Sequence, residues 1–155
     1  MNKNTRSTLL VSCLGLVLIV LTACAAPPPR TATTAPASTI QNIVWEWVSV
    51  TDQTAKSTTT VPNPQNYTIT FRNDGTLSGK ADCNSFTGTY SQENGFSIKL
   101  GAMTMAACVE GSLDQQYVKL LGEVAAGGPD GAGGLALETA GGAQRMLFKN
   151  GGAAQ

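Results

Sequence analysis

Apolar and polar residues alternate with a period of two along most of the chain beyond residue 43. Tyr67, Ile69 and Phe71 alternate with Thr68 and Thr70, the pattern of a strand with one face buried. Asn73-Asp74-Gly75 follows, and Asp-Gly supplies the positive φ angles of a tight hairpin. Leu77, Gly79 and Ala81 continue on one face as the return strand. Phe86, Gly88 and Tyr90 alternate again, Glu93-Asn94-Gly95 makes a second turn, and Phe96, Ile98 and Leu100 form the next strand. Upstream, Val44–Val48 reads as the first strand, with both tryptophans on one face and Glu46 on the other. The polar stretch between it and Tyr67 reads as a loop, its prolines at 62 and 64 arguing against an internal strand.

One segment changes period. Leu113, Tyr117, Leu120, Leu121 and Val124 form a single helical stripe. Ser112 and Gln115 fit a capping box at its start, and Gly127 and Gly128 are expected to stop it. The glycine-rich segment 127–134 then reads as a turn, lacking the lysine and spacing of a phosphate-binding loop. Two short strands, Leu135–Glu138 and Arg145–Lys149, close the pattern, which is an antiparallel meander carrying one helix.

The first 42 residues follow other rules. Lys3 and Arg6 precede an uncharged run from Leu9 to Leu21, a length suited to a signal-peptide core and short for a spanning helix. Leu21-Thr22-Ala23-Cys24 resembles the bacterial lipobox, which implies cleavage before Cys24 and lipidation of its thiol. Residues 25–39 are rich in proline, alanine and threonine, a stiff spacer able to hold a domain roughly 40 Å from a bilayer. The expected organisation is therefore a lipoprotein signal peptide at 1–23, a lipidated cysteine and linker at 24–42, a folded domain at 43–149 and a tail at 150–155. The expected location is the cell envelope, on the extracytoplasmic side of a membrane, the outer one if the host has two.

Composition narrows the chemistry. The 155 residues carry 10 basic and 10 acidic side chains and no histidine. Zero net charge offers no surplus for neutralising phosphates, so no nucleic-acid partner is expected. The lack of imidazole removes Ser-His-Asp and Cys-His catalysis and any zinc site that needs it. No cofactor or metal is expected. With Cys13 inside the signal peptide and Cys24 lipidated, Cys83 and Cys108 remain. An even pair in an exported chain forms a disulfide more often than a metal site, which needs further ligands, or a redox pair, which is more usually C-x-x-C. Closing that loop is worth about 3.5 kcal/mol in the chain-entropy model.

The order W-x-W, then Y-x-I-x-F-x-x-D-G-x-x-x-G-x-A-D-C-N-x-F-x-G-x-Y, then T-M-A-A-C, a helix and a terminal M-L-F strand resembles the META domain, the family of the bacterial heat-shock protein HslJ. The resemblance covers about Val44 to Lys149. It implies an α+β fold, an antiparallel barrel-like sheet with one packed helix, in proteins that are typically exported or lipid-anchored and associated with stress tolerance. It carries no catalytic residues.

Each conspicuous residue also has an ordinary role. Asp82 and Asn84 are expected to bond nearby backbone groups. Trp45, Trp47, Phe71, Phe86 and Tyr90 read as core, and Met103 and Met105 as gap-fillers. Three function classes are open: a non-enzymatic module binding an envelope protein or peptide, a structural stress-induced lipoprotein without a ligand, and a hydrolase using a carboxylate pair drawn from Asp74, Asp82, Glu93 and Glu110. No pairing of those acids is visible, and the hydroxyls of Thr58–Thr60 and Ser85 have no adjacent base, so a monomeric, non-enzymatic protein is expected.

Overall fold

In a computed structural model of the protein, residues 39–155 are described; the signal peptide, Cys24 and the linker as far as Ser38 lie outside them. Nine strands and one helix follow in the order β1 (Ile43–Asp52), β2 (Ser57–Thr60), β3 (Tyr67–Phe71), β4 (Thr76–Ala81), β5 (Asn84–Ser91), β6 (Ser97–Met103), α1 (Asp114–Gly122), β7 (Val124–Pro129), β8 (Leu135–Thr139) and β9 (Gln144–Ala153). All pair antiparallel in one sheet of spatial order β6-β5-β4-β3-β1-β9-β8-β7. The long β1 pairs with β3 along its first half and with β2 along its second, while β9 runs along its other edge. Register slips at Ile43/Trp45 and Trp47/Ser49 on the β1–β9 ladder add bend and twist, as bulges do.

The sheet curls into a half-barrel. Its two ends approach where the N–H of Phe96, just ahead of β6, donates to the Ala125 carbonyl of β7 at 3.3 Å. The alternating residues fill the concave side. Trp47, Ile69, Phe71, Tyr117, Leu121, Leu135, Leu137 and Met146 are all without exposed surface. Helix α1 lays Tyr117, Leu120 and Leu121 into this core. The Tyr117 ring stacks on Trp47 at 5.0 Å and meets Tyr67 edge-on at 5.8 Å, geometries favoured by aromatic quadrupoles.

Several expectations are corrected. The polar loop contains β2, a strand of four exposed residues whose ladder ends at Thr60, before either proline. The capping box does not form. Leu113 is the N-cap without a side-chain bond, and Ser112 Oγ instead accepts from the Asp114 N–H at 3.2 Å while Gln115 donates to the Asp114 carboxylate. The helix stops at Gly122, so Val124 opens β7, and Gly127 and Gly128 lie within that strand. Gly127 is there for packing, since a Cβ would press on the Leu137 side chain and the Phe96 ring. The turn itself is shorter, held by Asp130 Oδ1 accepting from the N–H groups of Ala132 and Gly134 at 2.7 and 2.8 Å. The fold also extends past the expected 43–149 on both sides. Ile40 is buried and its carbonyl accepts the Trp45 indole N–H at 2.8 Å, and β9 carries on through residues 150–153.

Candidate functional site

The Ala-Asp-Cys-Asn turn between β4 and β5 organises one end of the half-barrel. Asp82 takes φ +56°, a left-handed conformation that a short polar side chain tolerates. Its N–H donates to the Asn66 carbonyl at 2.7 Å, and its Oδ1 accepts from Asn66 Nδ2 at 3.2 Å. The reversal leaves Cys83 exposed and Asn84 buried. Cys83 is joined to Cys108 in a disulfide, with 5.5 Å between their Cα atoms.

Asn84, 1% exposed, grips the segment beyond β6. Its Oδ1 accepts from the Ala106 N–H at 2.8 Å and the Thr104 hydroxyl at 3.0 Å, and its Nδ2 donates to the Ala106 carbonyl at 3.0 Å. The same Nδ2 lies 3.5 Å from Cys108 Sγ. Ser85 adds a backbone pair, receiving the Thr104 N–H on its carbonyl and donating its own N–H to Thr104 Oγ1, both at 3.0 Å. Beyond Gly111, the Tyr67 hydroxyl accepts the Leu113 N–H at 2.9 Å. The loop from Thr104 to Gly111 is thus fixed at both ends and braced by the bridge.

That loop carries apolar side chains into solvent. Met105 is 82% exposed and Val109 78% exposed, the large exposed hydrophobics of the described residues; Ala106 and Ala107 between them are exposed as well. Met105 therefore fills no core gap, in contrast to the half-buried Met103. An ordered loop that presents apolar side chains to solvent is able to bury them against another surface. Beside the loop, a shallow cleft of about 340 Å³ opens over the β5–β6 bulge between Phe86 and Met103.

The loop is distant from the point where the N-terminal segment joins the sheet. Gln41 pairs with Phe71, and the Asn42 N–H donates to the Phe71 carbonyl, while the bridge sits by the Tyr67 end of β3. Four residue steps at ~3.3 Å put roughly 13 Å between those ends along β3 alone.

The four carboxylates considered for hydrolysis do not converge. Asp74 holds the β3–β4 turn by accepting from the Thr76 hydroxyl and N–H at 2.6 and 2.9 Å, and that hydroxyl in first place holds its carboxyl below the usual range. Asp82 lies at the opposite end of β4. Glu93 is exposed in the β5–β6 turn and Glu110 in the braced loop. Among the described residues no group of three or more acidic or cysteine side chains comes together. Sequence reasoning singled out Cys83, Asn84 and Cys108 but missed the exposed pair. Met105 and Val109 are four apart, within a stretch that follows no strand or helix period, and that lack of period was the available sign.

The META domain family model matches residues 38–152. Among solved structures, the protein from Burkholderia xenovorans determined by NMR is similar with a TM-score of 0.57 at 19% identity, over 81% of this chain and 97% of that one. The crystal structure of a DUF4847 family protein from Bacteroides vulgatus is similar with a TM-score of 0.53 at 14% identity, over 71% of this chain and 93% of that one. At such identities both likenesses speak for the fold, a small curled antiparallel barrel. No curated protein matches the chain.

Proposed function

The chain belongs to the META domain family, and from that footing we propose that it is an exported, lipid-anchored, non-enzymatic module that binds an envelope protein or peptide through the loop Thr104–Gly111. One observation carries the reading: Met105 and Val109 stand in solvent on a loop held by a disulfide and a buried asparagine. A pre-ordered apolar loop loses little entropy when it docks, which is how rigid binding surfaces gain affinity. The position of the loop supports a partner other than the anchoring bilayer, because the tether joins the opposite end of β3. The scattered carboxylates and the absence of histidine support binding without turnover.

The test places a photo-crosslinking residue at position 105 of the lipid-anchored chain in its own envelope and compares it with the same residue at Gln92, by the β5–β6 turn. A discrete protein adduct is expected from position 105 and not from position 92, and Val109→Ser should reduce its yield at least about tenfold. An adduct whose yield ignores Val109→Ser, or equal adducts from both positions, would overturn the docking role and leave a structural lipoprotein as the better reading.

A further inference from the structure

The two sulfurs of the bridge are in unequal surroundings. Cys83 is exposed at the tip of the β4–β5 turn, whereas Cys108 is half-buried with its Sγ 3.5 Å from Asn84 Nδ2. We propose that Cys83 is a thiol-exchange site, the sulfur at which an incoming thiolate opens the bridge and releases residues 107–111. This rests on the docking reading only in what the release does to the binding loop; the chemistry stands on the geometry of the bridge.

The attacking thiolate approaches Sγ of Cys83, the more exposed of the two residues, and forms a mixed disulfide with it. The Cys83–Cys108 bond breaks and its electron pair stays on Cys108 Sγ. The Asn84 amide cannot turn away from that sulfur, because its Oδ1 is held by the Ala106 N–H and the Thr104 hydroxyl. A fixed N–H donor at the developing thiolate makes Cys108 the better leaving group, and exchange is faster the more easily the leaving thiolate bears its charge. The co-reactant is a dithiol. Its second thiolate attacks its own sulfur in the mixed disulfide and expels Cys83, so the protein gains two electrons and two protons and the reductant leaves as a disulfide.

The release is local because the loop has separate fastenings. Thr104 and Ala106 remain on Asn84 and Ser85, and Leu113 remains on the Tyr67 hydroxyl. Between those points, the Ser112 N–H to Val109 carbonyl bond at 3.1 Å is the backbone tie within the segment. Opening the bridge therefore loosens Val109 while Met105 keeps its place, which divides the apolar surface and weakens docking.

Glutathione serves as the monothiol probe on the folded, full-length chain, with free thiols alkylated on quenching and the modified peptides read by mass spectrometry. Glutathione is expected on Cys83 and the alkyl group on Cys108, in at least about tenfold excess over the reverse. Hydrogen exchange after reduction by a dithiol should then quicken in residues 107–111 while β1, β3 and β9 stay protected. Equal labelling of the two cysteines, reaction only in denaturant, or loss of protection throughout the sheet would overturn the proposal. These readouts need no partner, so their failure leaves the crosslinking result at position 105 standing. Conversely, a crosslink indifferent to Val109→Ser removes the docking role and leaves the exchange chemistry in place.

Discussion

At the scale of single residues, Tyr117 is the group most constrained by its surroundings. Its hydroxyl is buried without a hydrogen-bond partner among the described residues, enclosed by Trp47, Tyr67, Phe86 and Phe148. An unsatisfied buried hydroxyl costs about 1–3 kcal/mol. Tyr117→Phe keeps the ring and removes that cost, so the variant should be more stable by about 1 kcal/mol in urea unfolding; a loss of that size would show that the hydroxyl is bonded. Burial also pushes the phenol well above its ordinary value of 10.0. A raised pKa in the folded state means stability that is present below about pH 10 and lost as pH rises beyond it. The phenylalanine variant should accordingly show a shallower alkaline decline than the parent chain.

Elements obey close packing before they obey propensity. Gly79 lies in the middle of β4, where a side chain would normally favour the strand, yet a Cβ there would overlap the Phe86 ring and the Thr68 carbonyl. Gly79→Ala should therefore lose about 1–3 kcal/mol of stability through overpacking, against the gain expected from replacing a strand glycine; thermal denaturation decides between them. Turns show the same dependence on individual contacts. Asp52, Asp74 and Asp130 each cap a hairpin, and their carboxyls are held below the usual range, first by the Ala55 N–H, the Thr76 hydroxyl and the Ala132 N–H respectively. Carboxyls lowered in this way stabilise the fold above the ordinary carboxylate range and cease to as pH falls through their lowered values. Stability followed from pH 5 downward should drop, and Asp130→Asn should drop less steeply. These contacts also explain what could be read from residues alone. Period-two alternation located β3 to β6 because each has one face in the core. Strand β2 escaped notice because all four of its residues are exposed, so nothing in its pattern answers to burial. The helix was drawn too long because Val124 is apolar in register with the stripe, although its buried side chain belongs to a strand. At the site, Asn84 was legible as a turn residue, but its hold on Ala106 joins positions 22 residues apart, a contact that no local pattern encodes.

For the whole molecule, the proposed anchor at Cys24 is the first thing to test. Cys24→Ala should leave a larger, unprocessed precursor that takes up no fatty-acid probe; normal labelling of that variant would remove the lipid anchor from the reading. The described chain leads from Ile40 into β1, which is hydrogen-bonded along both edges, to β3 and β2 on one side and β9 on the other. On the docking reading, a partner on the distal loop would pull along the strand direction. The load would run through the Cys83–Cys108 bridge and Asn84 into β4 and β5, across to β3, and into β1. Hydrogen bonds perpendicular to the strands then share that tension side by side instead of opening one after another. On the proposed reading the half-barrel is mechanically a coupling between its two ends, and the covalent link at the loop end is the Cys83–Cys108 bridge.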